Sequence, residues 1–173
     1  MANSRRKGSK NERNISKLLE SWTKKKFSRT PSSGGLNWKN SQVSGDIVCT
    51  TEGHYFPFSI EAKNYREINF EHLLYLDDPD ILKFWNQCVS DSKKSAKTKI
   101  PLLFMRYNGM PKDLHFVAIP NHYFILLKPL IPEGSRHLVS SEGFTIFRST
   151  SLFKSDYKEV KKTLKIYLNV KNA

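Results

Sequence analysis

Two carboxylates and a lysine stand at the ends of two short apolar runs, Asp46 in SGDIVCT and Glu61 with Lys63 in FSIEAKN. If the second run is a strand, its side chains alternate. Phe56, Phe58, Ile60 and Ala62 fall on one face, and Ser59, Glu61 and Lys63 on the other. Glu61 and Lys63 then point the same way. One reading is an ion pair on a solvated sheet, an arrangement of small energetic value. Asp46 favours another. It follows Gly45 at the start of the preceding candidate strand, so pairing of the two strands would bring Asp46 and Glu61 together at one end of a hairpin. Convergent carboxylates repel unless a cation lies between them. Oxygen donors without a Cys/His cluster suit Mg2+ or Mn2+ rather than zinc. An adjacent lysine can neutralise a phosphate or orient an attacking water, and such a set hydrolyses phosphodiesters with metal help.

The elements that must position this set can be read from periodicity and turn residues. SKNERNISKLLESW reads as a helix, with Ile15, Leu18, Leu19 and Trp22 on one apolar face. Ser9 and Glu12 fit a capping box. Glu12 also lies three and seven residues before Ile15 and Leu19, which puts it on the inward face. The two roles are compatible. KKKFSRTPSSGG reads as a break and a loop, in which Pro31 and two glycines let the backbone approach a ligand. Asp46–Thr50 is a candidate strand, Thr51–His54 a turn, and YFPFSIEAK a second strand of the same hairpin, with Pro57 unpaired or near an edge. An irregular linker follows. Asp78-Pro79 then starts a helix with proline at its first position, running to about Lys97. IPLLFMRY and LHFVAIP read as strands around an NGMPKD turn, YFILLKPL and GFTIFR as further strands, and Asp156–Leu168 as an amphipathic helix. There is no internal repeat. The order predicts a mixed α/β domain with a central sheet.

Composition narrows the partner. The 173 residues fit one domain, 1–173, with room for a hydrophobic core. The net charge is +13. Residues 1–30 hold ten Lys/Arg against Glu12 and Glu20, and so carry +8 of that total. A basic, aromatic-rich chain suggests a polyanion, nucleic acid first. Residues 1–8 read as a flexible basic arm, and Arg5, Arg6, Lys7 and Arg13 are candidate DNA contacts. No apolar run approaches a membrane span, and MANSRRKGSK has no apolar segment behind it to make a secretory signal, so a cytoplasmic protein is expected. Cys49 and Cys88 fit no zinc pattern and read as reduced, packed thiols. The five histidines are scattered, with no ligand spacing between them.

The ordered series Gly8-Ser9-x-x-Glu12-Arg13, Arg29, Ser32-Ser33-Gly34, Gly45-Asp46 and Glu61-Ala62-Lys63 resembles the PD-(D/E)xK nuclease superfamily. Within it, the chain is similar to the Holliday-junction-resolvase-like endonucleases of archaea and phages. The resemblance covers roughly residues 5–106. It implies a restriction-endonuclease-like α/β core of αβββαβ type, a central mixed sheet flanked by helices, with residues 9–106 as nuclease core and 107–173 as C-terminal strand and helix additions. It implies Asp46 and Glu61 as metal ligands, with the Ala62 carbonyl as a third and Mg2+ or Mn2+ as the ion. Lys63 would be the catalytic lysine, Glu12 a support for the metal site or its waters, and Gln87 the glutamine found behind the ExK strand. Arg29, Ser32 and Ser33 would touch the DNA backbone near the cleaved phosphate. A proline usual before the metal-binding aspartate is absent here. LNWKNSQVS lengthens the loop before Asp46, as in phage members, and Trp38 and Lys39 could contact DNA there. The implied partners are branched DNA and a second copy of the chain, in the host cytoplasm if phage-encoded.

Two other functions remain compatible with the sequence. One is a restriction-type or other DNA-processing nuclease with the same site. The other is a basic DNA-binding protein without catalysis, for which the aromatics Phe27, Trp38 and Tyr65 among the basic residues argue. The carboxylate–lysine set argues against the second, because simple binding does not need it.

Overall fold

The computed structural model describes residues 2–30, 45–75, 79–95 and 98–171. The elements run α1 (Ala2–Thr23), β1 (Phe27–Arg29), β2 (Ile47–Cys49), β3 (Phe58–Tyr65), α2 (His72–Tyr75), α3 (Asp80–Lys93), β4 (Ile100–Tyr107), β5 (Phe116–Pro120), α4 (Asn121–Leu127), a 3-10 turn (Lys128–Leu130), β6 (His137–Val139), β7 (Phe144–Arg148), α5 (Ser149–Phe153) and α6 (Tyr157–Lys171). The seven strands form one sheet in the order β1-β2-β3-β4-β5-β7-β6. β3 and β4 are parallel, and the other neighbours are antiparallel. The parallel pair needs a crossover, which α3 supplies. Leaving aside the four-residue α2, the order up to β4 is α, three strands, α, strand, which agrees with the αβββαβ expectation.

Both faces of the sheet are covered, which is why IPLLFMRY reads as a continuous apolar run. Leu102 and Phe104 point to one side, where Ile60, Ile15 and Leu19 of α1, and Val160 and Leu164 of α6 complete a core. Leu103 and Met105 point to the other, against Ile81, Phe84, Trp85 and Cys88 of α3. The face that carries Glu61 and Lys63 is therefore covered by α3 rather than solvated.

Several local expectations are corrected. α1 begins at Ala2, so residues 2–8, read as an arm, are helical, and Ser9 lies within the helix. The capping box does not form. Arg13 Nε donates to the Ser9 carbonyl at 3.1 Å instead, and the Glu12 carboxylate pairs with Arg29. Phe27–Arg29, read as loop, is an edge strand paired with β2. Phe27 is buried there against Phe56 at 4.9 Å between ring centroids, so it is core rather than a base-stacking platform. YFILLKPL is helical. Tyr123, Phe124 and Leu127 lie on the buried face of α4, a helical spacing that its β-prone composition masks. Pro79 caps α3 rather than occupying its first position, and α3 ends at Lys93. β6 and α5 had no signal in the pattern. Among the described residues, no helix is long and apolar enough to cross a membrane.

Candidate active site

Asp46 and Glu61 are brought together by a hairpin that pairs only briefly. β2 and β3 share the Ile47–Ile60 register pair, extended by a bond from the Asp46 N–H to the Ile60 carbonyl at 2.7 Å. Past that point the Asp46 side chain takes over from the strand. Its Oδ2 accepts the Ala62 N–H at 2.9 Å, a donor that the β3 edge would otherwise leave unmet. Gly45 permits the approach. Its φ is +90°, and a Cβ there would lie 2.5 Å from the Ile60 carbonyl oxygen, so a side chain is excluded by both conformation and space. Thr30 joins the other edge, with its N–H on the Asp46 carbonyl and its hydroxyl on the Gly45 carbonyl, both at 2.9 Å.

Glu61 projects toward α3 and is 4% exposed. Lys63 Nζ lies 2.8 Å from Glu61 Oε1 and donates to Gln87 Oε1 at 2.7 Å. It also sits 5.7 Å from the centre of the Phe84 ring, a cation–π contact. The lysine is thus held between β3 and α3. Glu12 reaches the same region from α1. Its carboxylate pairs with the Arg29 guanidinium, and its charge acts on Asp46.

The electrostatics are those of a buried acidic pocket. Burial pushes the Asp46 carboxyl above its ordinary pKa, and the Glu12 charge adds to this, while the Ala62 N–H and Lys63 pull it down. Burial also raises Glu61, with Asp46 next, opposed by Lys63. Asp91 raises both. It is a neighbour that the sequence reading missed, although it lies one helical turn past Gln87, where i and i+4 share a face. Its own carboxylate pairs with Lys94 Nζ at 2.5 Å.

The structure therefore groups Glu12, Asp46, Glu61, Ala62, Lys63, Gln87 and Arg29. Arg6, Lys7 and Arg13 are exposed along α1. Ser32, Ser33, Trp38, Lys39 and the Arg5 side chain lie outside the described residues.

Among the described residues, no group of three or more His, Cys, Asp or Glu is arranged to hold a metal ion. The available donors are two carboxylates, on Asp46 and Glu61, and a main-chain carbonyl. That set fits Mg2+ or Mn2+, which is commonly bound by one or two carboxylates and keeps water or substrate phosphate in its remaining positions. Burial raises both carboxyls, and a divalent cation between them would favour the ionised pair.

A family model described as "Phage putative PDDEXK endonuclease" matches residues 3–168. The chain is also similar to Protein D14 of Escherichia phage T5, 27% identical over 108 residues, or 61% of this chain. It spans 66% of that relative's length. No solved structure matches the chain. The seven-stranded mixed sheet flanked by helices agrees with the restriction-endonuclease-like fold of such nucleases.

Proposed function

The chain belongs to the phage PDDEXK endonuclease family, and from that premise we propose that it is a divalent-metal-dependent DNA endonuclease with Asp46, Glu61, Ala62 and Lys63 at its active site. The observation that carries the reading is the convergence of Asp46 and Glu61 across the β2–β3 hairpin, with Lys63 2.8 Å from Glu61. Asp46, Glu61 and the Ala62 carbonyl would hold Mg2+ or Mn2+. When bound, the ion supplies charge neutralisation at the scissile phosphate and a more acidic water.

The protein's own groups have separate tasks. Lys63 places a positive charge where the phosphorane charge develops, and Gln87 and Phe84 fix its direction. Glu12, in reach of Asp46, orients solvent at the metal side of the site, and Arg29 holds Glu12. The basic half of α1 with Arg6, Lys7 and Arg13 attracts the backbone. Ser32, Ser33, Trp38 and Lys39 remain candidates for contact near the cut.

The finer substrate is proposed from the motif series, which is similar to that of Holliday-junction-resolvase-like enzymes. On that basis the substrate is branched DNA and the enzyme is a homodimer, since a four-way junction needs two symmetric cuts. Incubating the protein with a four-way junction, a flap and a linear duplex, each with Mg2+, Mn2+ or EDTA, tests both levels. Cutting of all three substrates alike would keep the nuclease and reject the junction preference. DNA binding without metal-dependent cutting of any substrate would favour the non-catalytic reading.

A further inference from the structure

A second cleft lies beside the candidate active site, at the carboxyl ends of the parallel pair β3 and β4. It opens between the N-terminal half of α1 and the turn that joins β4 to β5, and its volume is about 450 Å3. Four cations line it, Lys7, Lys10, Arg106 and Lys112, with no carboxylate among the described lining residues. Its polar wall includes Asn64, the residue after Lys63, which is in register with Arg106 of β4. Asn64 follows Lys63 along β3 and points to the opposite face, so the cleft opens on the α1 side of the sheet, at the same end of the strand as the lysine of the candidate site.

The cleft is built rather than left over. Arg106 donates to the Lys112 carbonyl at 3.1 Å and to the Met110 carbonyl at 2.7 Å. Asn14 of α1 donates to the same Lys112 carbonyl at 2.5 Å. These bonds hold the β4–β5 turn against α1 and fix the distance between the two cationic walls.

A buried donor in this wall points to a ligand. Asn11 is 4% exposed and lines the cleft. Its Oδ1 meets Nε2 of the fully buried His115 at 2.9 Å, while its Nδ2 has no partner. Buried polar groups are almost always satisfied, so such an exception asks for one. His115 is held neutral by burial and by the Arg106 charge, with its pKa lowered to about 4. Asn11 Oδ1 accepts, so this contact has the His115 Nε2–H as donor, and it leaves both His115 Nδ1 and the Asn11 Nδ2 group without a partner among the described residues. A concave wall of one sign concentrates counter-ions, and an amide donor beneath it suits an oxygen of the anion.

We propose that this cleft is a phosphate-binding subsite for a DNA strand, which seats a backbone phosphate between α1 and the β4–β5 turn with Asn11 as a buried donor. The subsite rests on the nuclease reading for its purpose, since it would hold a DNA backbone along the α1 side of the sheet at the end of β3. It rests on its own geometry for binding.

The test uses full-length protein in EDTA, so that cleavage plays no part. Lys10→Gln/Lys112→Gln removes two exposed lysines of the cleft, and Lys158→Gln/Lys165→Gln removes two exposed lysines of α6 as a control. Duplex affinity is measured by anisotropy across a salt series. The cleft pair should bind roughly tenfold more weakly and lose about two from the log–log salt slope, with the control pair close to wild type. Titrating wild type with a 5′-phosphorylated tetrathymidylate should shift the Asn11 and Asn64 side-chain amide resonances, and the cleft pair should abolish those shifts. Equal behaviour of the cleft and control pairs overturns the proposal. Saturation of the same resonances by inorganic phosphate at the same concentration also overturns it, in favour of a free-anion site. Mg2+-dependent cutting is scored separately: a protein that cuts nothing but passes these tests loses the nuclease reading and keeps the subsite.

Discussion

Asp46 and Ala62 are joined by a side-chain-to-backbone hydrogen bond of 2.9 Å, so the aspartate is fastened to the residue that follows Glu61. The separation of the two carboxylates is therefore set by the β3 backbone rather than by a loop. Replacing either carboxylate with its amide keeps size and hydrogen bonding while removing charge. Asp46→Asn and Glu61→Gln should each lower Mg2+-dependent cleavage by at least about a hundredfold, with DNA binding in EDTA retained. Wild-type cutting rates in either variant would remove that residue from the site.

Gln87 acts through Lys63, whose ammonium it accepts at 2.7 Å. Gln87→Ala should reduce kcat by roughly tenfold, the scale of lost support around a metal site. KM and DNA affinity should stay close to wild type. A change confined to KM would place Gln87 on the DNA instead.

Gly45 faces two penalties at once, a left-handed φ of +90° and a Cβ position 2.5 Å from the Ile60 carbonyl. Gly45→Ala should destabilise the fold by about 2–4 kcal/mol, read as a shift in urea midpoint at constant slope. Because Gly45 precedes Asp46, activity should fall further than the unfolded fraction explains. A neutral substitution would mean that the strand edge can give way.

His115 contributes to the pH dependence of stability. Burial and Arg106 lower its pKa from 6.5 to about 4, so the folded protein binds fewer protons than the unfolded chain between those values. This contribution is fully present above about pH 6.5 and is lost as the pH falls toward 4, a difference on the order of 3 kcal/mol at most. His115→Leu should flatten that part of the stability profile, measured by urea unfolding at pH 7, 5.5 and 4.5. An unchanged slope would assign the acid lability to other groups.

Alternation in FSIEAKN puts Glu61 and Lys63 on one face whatever lies above it, and it took Asp46 and the motif series to turn that pair into a candidate site. Alternation could not say that α3 covers that face, since the contacts are long-range. β1 was missed because three residues bounded by lysines and a proline carry no usable period. The αβββαβ resemblance asked for that third strand where the residue pattern offered two. α4 was misread because Tyr, Phe and Ile suit strands, and only burial against the sheet decides between the two spacings. Asp91 was legible in principle, as one helical turn from Gln87, but nothing marked it as a neighbour of Glu61 before the crossover was known.

The bonds from Thr30 to Asp46 and Gly45 have a consequence for how the chain can be lengthened. They fasten the two ends of the 31–44 segment to one another on the sheet side. For a flexible insertion between Thr30 and Gly45, the entropy of closing the added chain grows only with the logarithm of its length, about 0.6 kcal/mol for each doubling. An insertion placed there would leave Asp46 fastened where it is, so this position offers a port for grafting new DNA-reading sequence without re-engineering the carboxylate pair.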